Sequence, residues 1–413
     1  MKRGVWLALG VVLAAAVGVG AALYPRLDEF PYATPIVENP ADGGPASFPG
    51  LLDLMATTAP GAPVRVLWTH GMCTHPPSWV DERAKKLAAA VGGSRQSVGV
   101  RQIGRHGASL RTERISVGEK AIEIVFLSWS PVTAPLKKAL DYDRSTGFGG
   151  AFPYQRATLN RELKSGLVNN CLVDVVAYAG PNGNPIRSAM VEAVCEALGG
   201  RIADSDCDLA GGRPPGSLAL VVESLGTKMI FDAILNIGAA VEGRRDDAAT
   251  DRLANAMAAT RMIYLLSNQV PLLDSADPPD GSTTVLAPSP SLVGASVARS
   301  FALLARMRDR LGTGQPPLTA VAFSDPNDLL SYRLVPAFLG DHARHFRVVN
   351  VVVSNAATHL GLFERPDTAH CGYAWNPHVL AMVAEGHKAG QPPRRPQGSM
   401  DISCHREIGL GGG

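Results

Sequence analysis

Hydrophobic positions recur along this chain as short continuous runs separated by helical stretches, the pattern of a buried parallel sheet crossed by helices. Val64–Trp68 is the first strong run. It leads into Thr69-His70-Gly71-Met72-Cys73, and Pro76-Pro77-Ser78 then opens a helix through about Ala90. Residues 96–130 hold three strand-like runs, and the last, Ala121–Trp129, is apolar enough for a central strand. Residues 131–216 read as helices and loops, with helical stretches at Ala134–Tyr142, Tyr154–Asn169 and Pro185–Leu198. Leu218–Val222 is another buried run, and Gly226–Asp232 continues with helical spacing. Further elements are a helix at Asp251–Ala259, a strand at Met262–Leu266, a turn at Asp277–Gly281 and a long helix at Pro290–Leu311. Strands at Leu318–Phe323 and Phe346–Val353 and a final helix at Asn376–His387 complete the pattern. The expectation is an α/β fold with a mostly parallel central sheet.

Both ends differ from this body. Lys2 and Arg3 precede Gly4–Leu23, twenty residues without a charge. As a helix that run spans about 30 Å, one bilayer core. Residues 1–30 therefore read as a signal-anchor segment with the body outside the cytoplasm, on the periplasmic side, or secreted if the small-residue site Val19-Gly20-Ala21 is cut. Residues 31–62, rich in Pro, Gly and Ala, read as a tether, 63–390 as the main domain and 391–413 as a disordered tail.

Composition narrows the function classes. Of 413 residues 46% are hydrophobic, enough for a large core, and a formal net charge of +2 leaves no electrostatic footprint for nucleic acid. Six cysteines, Cys73, Cys171, Cys195, Cys207, Cys371 and Cys404, are compatible with disulfides in an exported chain, with Cys195–Cys207 the most local pairing. None has the Cys-x-x-Cys spacing of zinc sites, and Asp204-x-Asp206-x-Asp208 lacks the glycine and distal glutamate of a calcium loop.

The candidate chemistry lies where strands end. In Val222-Glu223-Ser224-Leu225-Gly226 a serine stands between a buried strand and a helix. A hydroxyl there is lifted clear of the sheet at the positive end of the helix. The stretch resembles the nucleophile elbow Gly-x-Ser-x-Gly of the α/β-hydrolase superfamily, with Val222 in place of the first glycine. Strand-His70-Gly71 resembles the oxyanion loop of the same superfamily. The resemblance covers residues 64–390, with 131–216 partly a helical insertion or cap, and it implies a Ser–Asp–His triad in that chain order. Ser224 is the implied nucleophile, and the N–H groups of Met72 and Leu225 are the implied oxyanion donors. Asp328 and Asp325 compete for the acid after Leu318–Phe323; Asp328 is preferred because it precedes the apolar pair Leu329-Leu330. His370 and His359 compete for the base; His370, in Thr368–Tyr373 shortly before the last helix, is preferred. His378 and His387 fall within that helix and read as packing or surface residues. Glu223 is either paired with Arg or Lys or packed at the sheet edge.

The implied activity is a serine esterase or lipase acting on a small-molecule or lipid ester, with the N-terminal helix in the membrane and no metal or organic cofactor. A hydrophobic ester is expected from the membrane tether and the apolar insertion. Two alternatives share the sequence signals: an inactive hydrolase-fold binding or scaffold protein, and a thioesterase, amidase or acyltransferase on the same fold.

Overall fold

The computed structural model describes residues 33–391, apart from 105, 144–155, 158–159, 162, 204–205, 211, 213–215, 277–294, 313 and 359–363. The expected anchor (1–30), the Asp277–Gly281 turn, Asp204, His359 and almost all of the tail lie outside the described residues.

Nine strands form one sheet: β1 (Ile36–Glu38), β2 (Val64–Thr69), β3 (Ser94–Ile103), β4 (Ala108–Val117), β5 (Lys120–Ser128), β6 (Ser217–Glu223), β7 (Thr260–Leu266), β8 (Leu318–Ser324) and β9 (Phe346–Val352). Their spatial order is β1-β9-β8-β7-β6-β2-β5-β4-β3. From β9 across to β5 every neighbouring pair is parallel. The edges are antiparallel: β1 on β9 at one side, and the meander β5-β4-β3 at the other. The apolar runs of the sequence fall on the parallel strands because those are covered on both faces, so neither face needs polar residues.

Two helical layers do the covering. The main helices are α1 (Leu51–Thr57), α2 (Ser78–Ala90), α3 (Asn184–Ala197), α4 (Gly226–Gly243), α5 (Asp247–Ala258), α6 (Ala295–Arg310), α7 (Pro366–Cys371) and α8 (Pro377–Glu385). Helices α3–α6 pack Met190, Ile230, Leu253 and Phe301 on one face, against Leu67, Leu220, Val222 and Leu265. Helices α1, α2 and α8 pack Leu51, Trp79, Leu87 and Val379 on the other, against Val66, Val221, Tyr264 and Val351. Adjacent residues such as Val221 and Val222 thus serve opposite cores, as the period of two in a strand requires. Each such apolar side chain contributes about 1.5–3 kcal/mol.

One expectation from composition is corrected. Residues 36–57 are not a tether. Ile36–Glu38 pairs with β9, and α1 buries Leu51, Leu54 and Met55. The Gly and Pro content obscured a short helix whose first turn is closed by the Asp53 carboxylate accepting from Gly50 N–H at 2.9 Å. Residues 131–216 are expected to be an insertion only in part, and their described residues divide. Their longest helix, α3, lies on the sheet with Ile186, Met190 and Cys195 in the core. Of the described residues before it, a wide-turned helix at Leu163–Leu172 and a helix at Val173–Ala179 meet the loop after β2 through Cys171 and Asp174, both at Cys73. Within the described residues no helix is long and apolar enough to cross a membrane.

Candidate active site

In an open α/β sheet the loops at the carboxyl ends of the strands converge on one crevice. Here those loops carry Ser224 after β6, Ser267 after β7, Asp328 after β8, His370 beyond β9 and His70-Gly71-Met72 after β2. Every residue expected to act together is therefore delivered to the same edge.

Ser224 has φ 52°, a left-handed conformation that costs a non-glycine residue about 1–3 kcal/mol. It is fixed from both sides. Its N–H donates to Leu266 O at 2.8 Å, and its carbonyl accepts from Thr227 N (2.9 Å) and Thr227 Oγ1 (2.6 Å). Glycine is required at two neighbours. A Cβ on Gly71 would lie 2.4 Å from Ser224 Cβ, and one on Gly226 would lie 2.9 Å from Thr69 Cγ2. At Val222 no such demand exists: the side chain is fully buried in the core beneath α4. The missing elbow glycine is thus a core residue here, and the turn forms without it.

Ser224 Oγ lies 2.9 Å from His370 Nε2, and His370 Nδ1 lies 2.9 Å from Asp328 Oδ1. Burial raises the Asp328 carboxyl. The charge of His370 and hydrogen bonds from His370, Ser267 and the Leu330 N–H outweigh it and hold the group down at about 2. An ionised Asp328 only accepts, so Nδ1 carries the ring proton toward it and Nε2 is left to accept from the serine hydroxyl. His370 stands in the short helix α7 and not on a loop as expected. Its neighbour Gly372 is needed for space rather than for a turn, since a Cβ would meet Asn355 Cβ at 2.6 Å and Thr368 O at 2.7 Å.

The two candidate aspartates separate cleanly. Asp325 accepts from Asn327 N (2.9 Å) and Asn355 N (2.6 Å), tying the β8 loop to the one after β9. Asp328 alone makes a hydrogen bond to His370. Three partners of the site were not anticipated. Ser267 donates to Asp328 Oδ2 at 2.6 Å and lies 3.0 Å from His370 Nδ1. Tyr373 donates to Asp328 Oδ2 at 2.9 Å; burial and the nearby Asp328 charge push its phenol well above the usual range, so it stays a donor. Gln269 Nε2 lies 3.4 Å from His370 Nε2. No motif marks these residues, although Ser267, at φ 57°, follows its strand as Ser224 follows β6.

The His70-Gly71 loop is held by its own histidine. His70 Nε2 accepts from Trp129 N (3.1 Å) and Ser130 N (3.3 Å), and Nδ1 donates to Gly71 O at 2.8 Å. Full burial is the main force lowering this ring to about 3, so it is neutral. Among the described residues, neither Met72 N–H nor Leu225 N–H has an acceptor.

The remaining candidates have structural partners. Glu223 accepts from Trp68 Nε1 at 2.7 Å and pairs with buried Arg83 at 3.3 Å, which settles it as a paired residue. Cys195–Cys207 is a disulfide, as expected from locality; Cys73–Cys171 is a second, and Cys371 is also disulfide-bonded. Asp206 and Asp208 lie in a two-stranded hairpin and face Arg244 and Arg201. His378 is buried on α8 and His387 half-buried beyond it. No cluster of metal-ligating side chains occurs among the described residues. Comparison with protein-family models, curated proteins and solved structures returned no match.

Proposed function

We propose that this protein is a serine hydrolase of the α/β-hydrolase type, cleaving a carboxylic ester through an acyl-enzyme on Ser224. The observation that carries the reading is the continuous relay from Ser224 Oγ to His370 to Asp328, 2.9 Å at each step. A free serine hydroxyl is a poor nucleophile at neutral pH. His370 Nε2 takes its proton as the C–O bond forms, and Asp328 stabilises the imidazolium and fixes its tautomer. The Met72 and Leu225 N–H groups hold the developing oxyanion. His370 then passes the proton to the departing alcohol oxygen. Water repeats the sequence on the acyl-enzyme and releases the acid.

The contact between Ser224 and His370 is what an inactive scaffold has no reason to keep, so the catalytic reading is preferred over the binding-protein one. The substrate proposed is a hydrophobic ester. A strongly exposed apolar residue, Leu329 (74% exposed), follows Asp328 in sequence and suits an apolar acyl chain. Action outside the cytoplasm is supported by the disulfides, which persist in oxidising compartments. The test is a series of nitrophenyl esters of increasing acyl length, given to wild type and Ser224→Ala. Turnover that rises with chain length and disappears in the variant is expected. Hydrolysis confined to short, water-soluble esters would remove the hydrophobic-substrate reading, and turnover surviving in Ser224→Ala would remove the serine mechanism.

A further inference from the structure

The loop after β2 uses all but one of the hydrogen-bonding groups in its two central peptides. The Gly71–Met72 peptide has its carbonyl held by His70 Nδ1 at 2.8 Å. The Met72–Cys73 peptide is held at both ends: its carbonyl by His75 Nε2 at 3.1 Å, and its N–H by Asp174 Oδ2 at 2.7 Å. What remains is the Met72 N–H. Its direction is thus set by the groups that immobilise its neighbours.

Two of those constraints come from outside the loop. Asp174 belongs to the segment between β5 and α3. It is fully buried, and Lys137 Nζ, itself 3.1 Å from Thr74 Oγ1, pairs with it at 2.9 Å. Cys171, three residues earlier, is bonded to Cys73. Cys73 has φ 82°, a conformation that a residue with a side chain keeps only when its surroundings impose it. Here they do so twice, through its N–H and through its sulfur.

We infer that Asp174 and the Cys73–Cys171 bridge are positioning elements for the oxyanion donor Met72, so that the segment between β5 and α3 contributes to transition-state binding without touching substrate. This rests on the serine-hydrolase reading of Ser224. The second disulfide supplies an internal control, because Cys195–Cys207 joins α3 to the Asp206–Asp208 hairpin and not to the loop.

The experiment compares full-length wild type, Asp174→Asn, the pair Cys73→Ala with Cys171→Ala, and the pair Cys195→Ala with Cys207→Ala. Readouts are kcat and KM for one ester, the rate of fluorophosphonate labelling, and thermal unfolding. Losing an oxyanion donor's alignment is expected to lower kcat and labelling rate on the order of ten- to a hundredfold. KM should stay within about threefold, and the pH dependence on the acid side should not move, since His370 is untouched. The Cys195/Cys207 pair should unfold at lower temperature with kcat unchanged. Should the Cys73/Cys171 pair fail to fold, Asp174→Asn decides alone. The inference is overturned if folded clip variants keep kcat within about twofold of wild type, or if the control pair loses as much activity as they do. A wild type that neither turns over esters nor labels would overturn the hydrolase reading itself, and this inference with it.

Discussion

Cys73, Ser224 and Ser267 hold φ angles of 82°, 52° and 57°, and all three border the same crevice. Strain of about 1–3 kcal/mol at each persists only where the fold over-determines the backbone, and here it aims three loops at one point. The roles of individual side chains separate by their partners. Asp328→Asn leaves the shape intact but gives His370 the wrong tautomer, and should lower kcat on the order of ten-thousandfold. Asp325→Asn weakens the hydrogen bonds from Asn327 and Asn355. It should reduce thermal stability and leave kcat within about tenfold. Steady-state kinetics with calorimetry on both variants checks the assignment, and the reverse ranking would contradict it. His70 makes stability depend on pH. Burial holds it at about 3, while the unfolded ring titrates near 6.5. Between those values only the unfolded chain takes up the proton. His70's contribution is therefore complete above about 6.5 and is lost as pH falls, at about 1.4 kcal/mol per pH unit. His75, lowered in the same direction mainly by burial, adds to the slope. Asp328, held at about 2, works at lower pH: its contribution is present above its ordinary value of 3.8 and lost as pH falls below it. Urea unfolding at about pH 7 and about pH 4 should show the loss, and His70→Asn should make the dependence shallower by about one proton. Ser224, Asp328 and His370 were legible because each follows a buried run, in the order that the proposed nucleophile, acid and base take. Ser267, Tyr373 and Asp174 were not, since a lone polar residue has no sequence signature until the fold brings its partner to it.

At the scale of elements, the strands were legible and their surroundings less so. The parallel strands are covered on both faces, so Val64–Trp68, Leu218–Val222 and Leu318–Phe323 appear as short, mostly apolar runs. Residues 36–57 misled because Pro, Gly and Ala recur through them, whereas five residues of pattern, Leu51-Leu52-Asp53-Leu54-Met55, decide the helix. The elbow's altered motif has a structural reason. Close approach to the loop after β2 is made at Gly71 and Gly226, and Val222 points into the core on the other side. Two substitutions test this. Gly71→Ala places a methyl 2.4 Å from Ser224 Cβ and should lower activity on the order of a hundredfold by displacing the nucleophile. Val222→Gly, which restores the usual motif, should instead destabilise the fold by about 2–4 kcal/mol with no gain in labelling rate. Faster labelling in Val222→Gly would mean that the valine restrains the elbow after all.

For the whole molecule, the arrangement is a sheet whose two cores fix the strands while one edge collects the chemistry. The helices α3–α6 and the set α1, α2 and α8 bury opposite faces, so most of the core lies away from the site. The site can then be strained without risk to the fold. The sequence ahead of the body carries the uncharged run Gly4–Leu23, and full-length protein is expected to remain with membranes after an alkaline wash that strips peripheral proteins. Release into the supernatant would show that the segment is cleaved. The central claim, however, is that Ser224 is an activated nucleophile, and covalent labelling tests it most directly. Full-length wild type and Ser224→Ala are treated with a fluorophosphonate probe and the adduct is located by peptide mass. The account predicts a single adduct on Ser224 that is absent from the variant. A folded wild type that takes up no probe, or an adduct on another residue, would contradict it.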